Sequence, residues 1–253
     1  MKQRFLITIE YDGRGYSGWQ RQKNGVAIQA KIEEALLGIF GEKINLYGSS
    51  RTDAGVSAYE QTAHFDVDTL ISAEKIPHAL NSVLPNDIAV TGCIVVADDF
   101  HARFAEKKKT YVYRIYISPT RRPIFDRERL RLLKPLDIAA MKAAAEGMVG
   151  RYDCSLFQKS GSPSGAPIKT VYSVEVTEPK PDCIDITVTG DGFLYKMVRT
   201  MAGTLVYVGQ GKLTPQEIAD AVKNCDKEKI GKTLAGEFLY LLKTEYATLK
   251  VEN

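Results

Sequence analysis

A run of small and polar residues, Ser49-Ser50-Arg51-Thr52-Asp53-Ala54-Gly55-Val56-Ser57-Ala58, sets one carboxylate two positions from one guanidinium. In an extended segment alternate side chains share a face, so Arg51 and Asp53 would point the same way. Gly55 permits a tight turn, and Ala54 and Ala58 leave room for a ligand. A carboxylate in such a loop can act as a covalent catalyst. It can equally cap the turn through its own backbone beside a structural Arg. The loop alone does not choose.

Arg199 is the second residue of interest. Residues 195–208 read as a helix whose Met197, Val198, Met201, Leu205 and Val208 form a broad apolar stripe. A guanidinium there keeps its charge, so it needs a carboxylate or a path to water. Asp53 is one candidate, and an Asp beside an Arg stays ionised.

Charge is distributed unevenly. The chain carries 34 Lys and Arg against 31 Asp and Glu, a net +3. Residues 103–134 alone hold eleven basic and three acidic side chains, net +8, which leaves the remainder at −5. Phe100, Phe104, Tyr111, Tyr113 and Tyr116 are interleaved with these charges. Such a segment suits a polyanion with unpaired bases, or else a solvated charged edge.

These residues need a frame. Residues 4–11 alternate and are β-branched, which predicts a strand, and residues 12–25 form a glycine-rich loop. Ile28, Ile32, Ala35, Leu36 and Ile39 mark a helix closed by Gly41. Short strands are expected at 44–48 and 61–67, a helix at 72–83 capped by Ser72, and strands at 88–96 and 109–117. A helix at 137–148, a loop at 158–167 and strands at 169–176 and 184–189 follow. Helices at 195–208 and 214–223 and a strand at 245–251 complete the chain. Short hairpin-like strand pairs favour an α+β fold with mainly antiparallel sheets, in two similar halves at 1–105 and 106–253.

Other chemistries lack their signatures. Gly13-Arg14-Gly15-Tyr16-Ser17-Gly18 matches a dinucleotide fingerprint, but the next helix starts too late to meet a pyrophosphate. The four cysteines make no CxxC pair and the three histidines no metal-binding spacing, so no metal is expected. The longest uncharged stretch, 200–211, falls short of the about 20 residues that a membrane helix needs. No signal-peptide pattern opens the chain, and a soluble cytoplasmic protein is expected.

Taken together, the motifs resemble the tRNA pseudouridine synthases that act on the anticodon stem-loop at positions 38 to 40. The resemblance rests on Tyr11-Asp12-Gly13, Gly18-Trp19-Gln20, the Arg51–Val56 run, Phe100–Phe104, Tyr111-Val112-Tyr113, Gly192-Phe193, and Met197-Val198-Arg199 with Gly203. It implies that Asp53 is the catalytic nucleophile and that Arg199 pairs with it. Arg51 would fill the space left by a flipped uridine, and Tyr111 would stack on that base. Phe100, His101, Ala102, Arg103 and Phe104 would contact tRNA. It further implies two α+β halves flanking a central basic cleft, a homodimer, and no cofactor, since the isomerisation neither oxidises nor imports anything. Whether the carboxylate attacks base or ribose is left open.

The chain departs from the family pattern in three places. Ser57 stands where many members have His, residues 235–241 lack the Pro and the Gly often found before Leu, and the 159–167 loop carries Lys159 where Arg is common. An RNA-binding module without chemistry would explain the charge but not Arg51, Asp53 and Arg199. A glycosidase would need a second catalytic carboxylate, and none stands near Asp53 in the sequence.

Overall fold

The computed structural model describes residues 2–159 and 166–249. In chain order its elements are β1 (Gln3–Tyr11), α1 (Ile28–Phe40), β2 (Tyr47–Gly48), β3 (Ser57–Val67), α2 (Ile76–Asn81), β4 (Ile88–Val96) and β5 (Lys107–Ile117). These are followed by β6 (Leu130–Leu132), α3 (Ile138–Glu146), β7 (Gly150–Asp153), β8 (Ile168–Lys180), β9 (Cys183–Gly190), α4 (Met197–Gly209), α5 (Pro215–Asn224) and β10 (Leu239–Tyr246). The fold is α+β, with mainly antiparallel pairing and helices packed on the sheets.

Two compact units divide the chain. The first comprises residues 1–107 and 240–253, and the second residues 108–239. Division at 105/106 with all later residues in the second half is therefore corrected at the C-terminus. Tyr240 and Leu241 of β10 pair in parallel with Ser57 and Ala58 of β3, which returns the end of the chain to the first unit.

In the first unit β1 lies between β3 and β4, antiparallel to both. Phe5, Ile7 and Ile9 fall on one face of β1 and are buried. Ile28, Ile32 and Leu36 of α1, Ile76 and Leu80 of α2, and Phe65 of β3 are buried as well. Phe5 and Phe65 stack at 5.7 Å between centroids. Each such side chain contributes about 1.5–3 kcal/mol by leaving water.

In the second unit the antiparallel order is β5-β9-β8-β7, with β6 added in parallel to β5. Helix α3 packs on α4, α5 and β8. On β5 Tyr111, Val112, Tyr113, Ile115 and Tyr116 are all buried. Helix α5 opens with a reciprocal capping box, Thr214 with Glu217, and Pro215 in its first turn.

Several expected elements shift. The last strand runs 239–246 rather than 245–251, because Leu239, Tyr240 and Leu241 are the apolar residues that can be buried there; positions 250 and 251 lie outside the described residues. Ser72 caps nothing with its side chain: Ala73–Lys75 is a short 3-10 turn, and α2 starts only at Ile76. Helix α4 starts at Met197 because Lys196 adopts φ +62°. Of 44–48 only Tyr47 and Gly48 pair, although Ile44 and Leu46 are buried. The loop expected at 158–167 falls largely outside the described residues.

Candidate functional site

The loop carrying Asp53 is fixed from three sides within the first unit. Gln61, fully buried on β3, accepts from the Ser49 hydroxyl at 2.8 Å and donates to the Ser50 carbonyl at 3.0 Å. Tyr11 and Thr52 share a hydroxyl hydrogen bond of 2.8 Å, and the Trp19 amide donates to the Thr52 carbonyl at 3.1 Å. Asp53 to Val56 form a tight turn closed by the Val56 amide on the Asp53 carbonyl, with Gly55 at φ +81°. Asp53 is half-buried and Arg51 is exposed.

The glycines of the misleading fingerprint explain themselves here. Gly18, at φ +96°, lies so near the loop that a Cβ would sit 2.5 Å from the Thr52 carbonyl oxygen. A Cβ on Gly13 would strike the Val56 carbonyl. Their function is close backbone approach to the Asp loop, and α1 begins well beyond them at Ile28. Ser57 joins the same scaffold. Its hydroxyl accepts from the Gly13 amide at 3.0 Å and bonds the Asp12 carboxyl. Arg14 foremost, aided by Ser57, holds that carboxyl below the usual carboxylate range.

Residues 100–107 form a second rigid feature of this unit. Ala102 is fully buried against Leu6 and Val96, and Phe100 packs on the same cluster. The Ala102 amide donates to Nδ1 of buried His64 at 3.2 Å. Lys107 is buried, and its amine donates to the carbonyls of Arg103 and Ala105 at 2.6 and 2.7 Å. Burial, with some help from Arg103, pushes that amine down to about 8. Arg4 binds Asp66 and donates to the Phe100 carbonyl at 2.7 Å. Thus Phe100 and Ala102 face the core, while Arg103 and Phe104 are exposed and His101 is half-exposed. Burial and the charge of Arg51 together hold the Arg103 guanidinium below its ordinary value.

Tyr111 and Arg199 belong to the second unit. Tyr111 pairs with Val188 of β9, is 6% exposed, and meets the edge of Phe193 at 5.3 Å and 89°. Arg199 is half-buried on α4, and its Nε donates to the Leu234 carbonyl at 2.7 Å. Tyr113 is fully buried and donates to the Ala235 carbonyl at 3.0 Å, and burial holds its phenol above the usual range. The unusual 235–241 segment is therefore tied to β5, where the Arg114 amide also donates to the Phe238 carbonyl at 3.0 Å.

Not every cation of 103–134 is available to a polyanion. Arg129 is 7% exposed and binds Asp185 at 2.6 Å and the Ile115 carbonyl. Lys107 is spent on backbone carbonyls. Arg103, Lys108, Arg121, Arg122, Arg127 and Lys134 are exposed, and Arg122 lies over the Phe125 ring at 3.8 Å. Gln61 and Tyr47 belong to no motif. A Gln inside the otherwise strand-like 57–67 run is the one sequence signal that marks the first; Tyr47 left none.

Among the described residues no cluster of three or more His, Cys, Asp or Glu could hold a metal ion, and no helix is long and apolar enough to cross a membrane.

Comparison with known proteins now bears on this arrangement. Residues 7–105 and 144–247 match the family model described as tRNA pseudouridine synthase. The chain is 44% identical to a protein named tRNA pseudouridine synthase A from Thermoanaerobacter sp. (strain X514), over 95% of this chain and 98% of that one. A protein of the same name from Ruminiclostridium cellulolyticum is 42% identical over 95% and 98%. Another, from Rhodospirillum rubrum, is 40% identical over 96% and 87%. Agreement of this extent, in both units and along nearly the full chain, makes this protein a member of the tRNA pseudouridine synthase family.

Proposed function

We propose that this enzyme converts uridine to pseudouridine in the anticodon stem-loop of tRNA, at one or more of positions 38, 39 and 40, with Asp53 as the nucleophile. The observation that carries the proposal is the construction around Asp53. Two glycines, a buried Gln and a Tyr–Thr hydrogen bond hold the backbone of a half-buried carboxylate in one geometry. Ordinary turns do not need such support, whereas a covalent catalyst does.

The reaction breaks the C–N bond between ribose and uracil and remakes the link as C–C through C5, with loss of the C5 proton. No electrons enter or leave. An ionised carboxylate can hold the ribose or the base between these two events. In the proposal Arg199 pairs with Asp53 and holds it oriented. Tyr111, braced edge-on by Phe193, presents a ring on which the flipped uracil stacks. Arg51, exposed beside Asp53, fills the gap in the stem.

Unstacking a base costs a few kcal/mol, which stacking and gap filling offset. Exposed cations of 103–134 supply affinity for phosphates without reading sequence. That division suits an enzyme that recognises tRNA shape. The proposal includes a homodimer working in the cytoplasm.

Incubation with unmodified tRNA followed by site mapping tests this reading. Pseudouridine at 38, 39 or 40 supports it, and modification confined to another region of the tRNA overturns the positional assignment. Release of free base or sugar would instead favour a hydrolase.

A further inference from the structure

Tyr47, His101 and Phe104 form a continuous aromatic surface on the first unit. Tyr47 lies 5.5 Å from His101, and His101 lies 4.5 Å from Phe104 at an interplanar angle of 34°. Phe104 is 77% exposed and Tyr47 is 45% exposed. Beneath them His64 is buried, stacked on Tyr47 at 5.0 Å and hydrogen-bonded to the Ala102 amide.

The fold does not require this exposure. Phe100 and Ala102 already anchor the turn in the core, and an outward Phe adds nothing to that anchorage. Nor is the turn loose, since Lys107 clamps the carbonyls of Arg103 and Ala105. A large apolar ring held rigidly in water marks a contact surface. Its surroundings specify the partner. The guanidiniums of Arg51 and Arg103 stand close enough to repel each other, and neither has an acidic partner among the described residues. Aromatic faces beside unneutralised cations suit an unpaired nucleobase and its phosphate.

We infer that Tyr47, His101 and Phe104 are a stacking site for an unpaired nucleotide of the bound RNA, distinct from the uridine that reacts, with Arg103 facing its phosphate. The inference rests on the tRNA reading and extends it to a nucleotide outside the paired stem. Stacking on His101 and Phe104 asks nothing of the base's identity, so the site reads single-strandedness rather than sequence.

The test compares Phe104→Ala and Phe104→Trp with the unaltered enzyme, using two RNAs. One is a stem-loop with an unpaired loop, and the other is a duplex of equal length without one. Phe104→Ala should weaken stem-loop binding about ten-fold and leave duplex binding unchanged. Phe104→Trp should restore stem-loop affinity. Equal losses on both RNAs, or no loss on either, would overturn the inference. So would a changed sedimentation coefficient without an RNA effect, which would make the patch a contact between copies of the chain. Intact pseudouridine formation with unchanged stem-loop affinity would remove the stacking site alone. Lack of pseudouridine formation by the unaltered enzyme would instead remove the tRNA reading.

Discussion

Gly18 abuts Thr52 so closely that a Cβ on the glycine would lie 2.5 Å from the threonine carbonyl oxygen. That contact joins the glycine-rich loop after β1 to the residue preceding Asp53. It makes the geometry of the candidate nucleophile depend on a position more than thirty residues earlier.

Gly18→Ala should therefore displace the Asp loop. The substitution meets both a φ of +96° and a backbone atom, each unfavourable by about 1 kcal/mol or more. We expect turnover to fall at least about ten-fold with tRNA affinity little changed. Steady-state kinetics beside a binding titration checks this, and a variant as active as the parent would separate the glycine loop from the site.

Tyr111→Leu should slow the reaction far more than it loosens tRNA. Stacking is worth about 1–3 kcal/mol per base, so a rate loss of about ten-fold or more is expected under single-turnover conditions. Tyr111 is 6% exposed and touches Phe193, so a melting curve must accompany the kinetics. An unchanged rate in a folded variant would exclude the stacking role.

Salt should separate two kinds of cation in 103–134. Binding should weaken steeply between about 50 and 200 mM salt. Arg122→Gln should flatten that dependence by about one phosphate contact. Arg129→Met should leave the slope alone and cost about 3 kcal/mol of stability, because it strands Asp185 beside an apolar side chain. A salt-independent affinity in the parent would contradict the phosphate-binding assignment.

Acid should weaken the first unit through His64. Burial foremost, then the charges of His101 and Arg4, push its imidazole from 6.5 down to about 4. The unfolded chain then binds a proton that the folded chain refuses, so stability is full above 6.5 and drains away as pH falls towards 4. An NMR titration of His64 should show a midpoint near 4, and a midpoint near 6.5 would mean that the ring under Tyr47 is solvated.

How far the sequence discloses this protein varies with the physics involved. The alternation of Phe5, Ile7 and Ile9 and the spacing of Ile28, Ile32 and Leu36 are strong local signals, and β1 and α1 follow them closely. Thr214 and Pro215 likewise mark the start of α5 because capping is local. The last strand is different. Its place is set by pairing with Ser57 and Ala58, some 180 residues away, and no local pattern carries that. Arg199 stands out as a charge inside an apolar helix, but the backbone carbonyl of Leu234 that accepts from its Nε is a partner that sequence cannot name. The segment 103–134 reads as uniformly basic, but burial removes Arg129 and Lys107 from its surface charge. Gly13 and Gly18 imitate a nucleotide fingerprint because close backbone approach imposes the same residue whichever neighbour is approached.

The most direct measurement is single-turnover pseudouridine formation in unmodified tRNA by Asp53→Asn, with tRNA affinity determined in parallel. The side chains are nearly the same size, so the loop pinned by Thr52, Gly18 and Gln61 should persist. The rate should fall by at least about 1,000-fold while affinity stays within a few-fold. Turnover close to that of the unaltered enzyme would take the carboxylate out of the reaction.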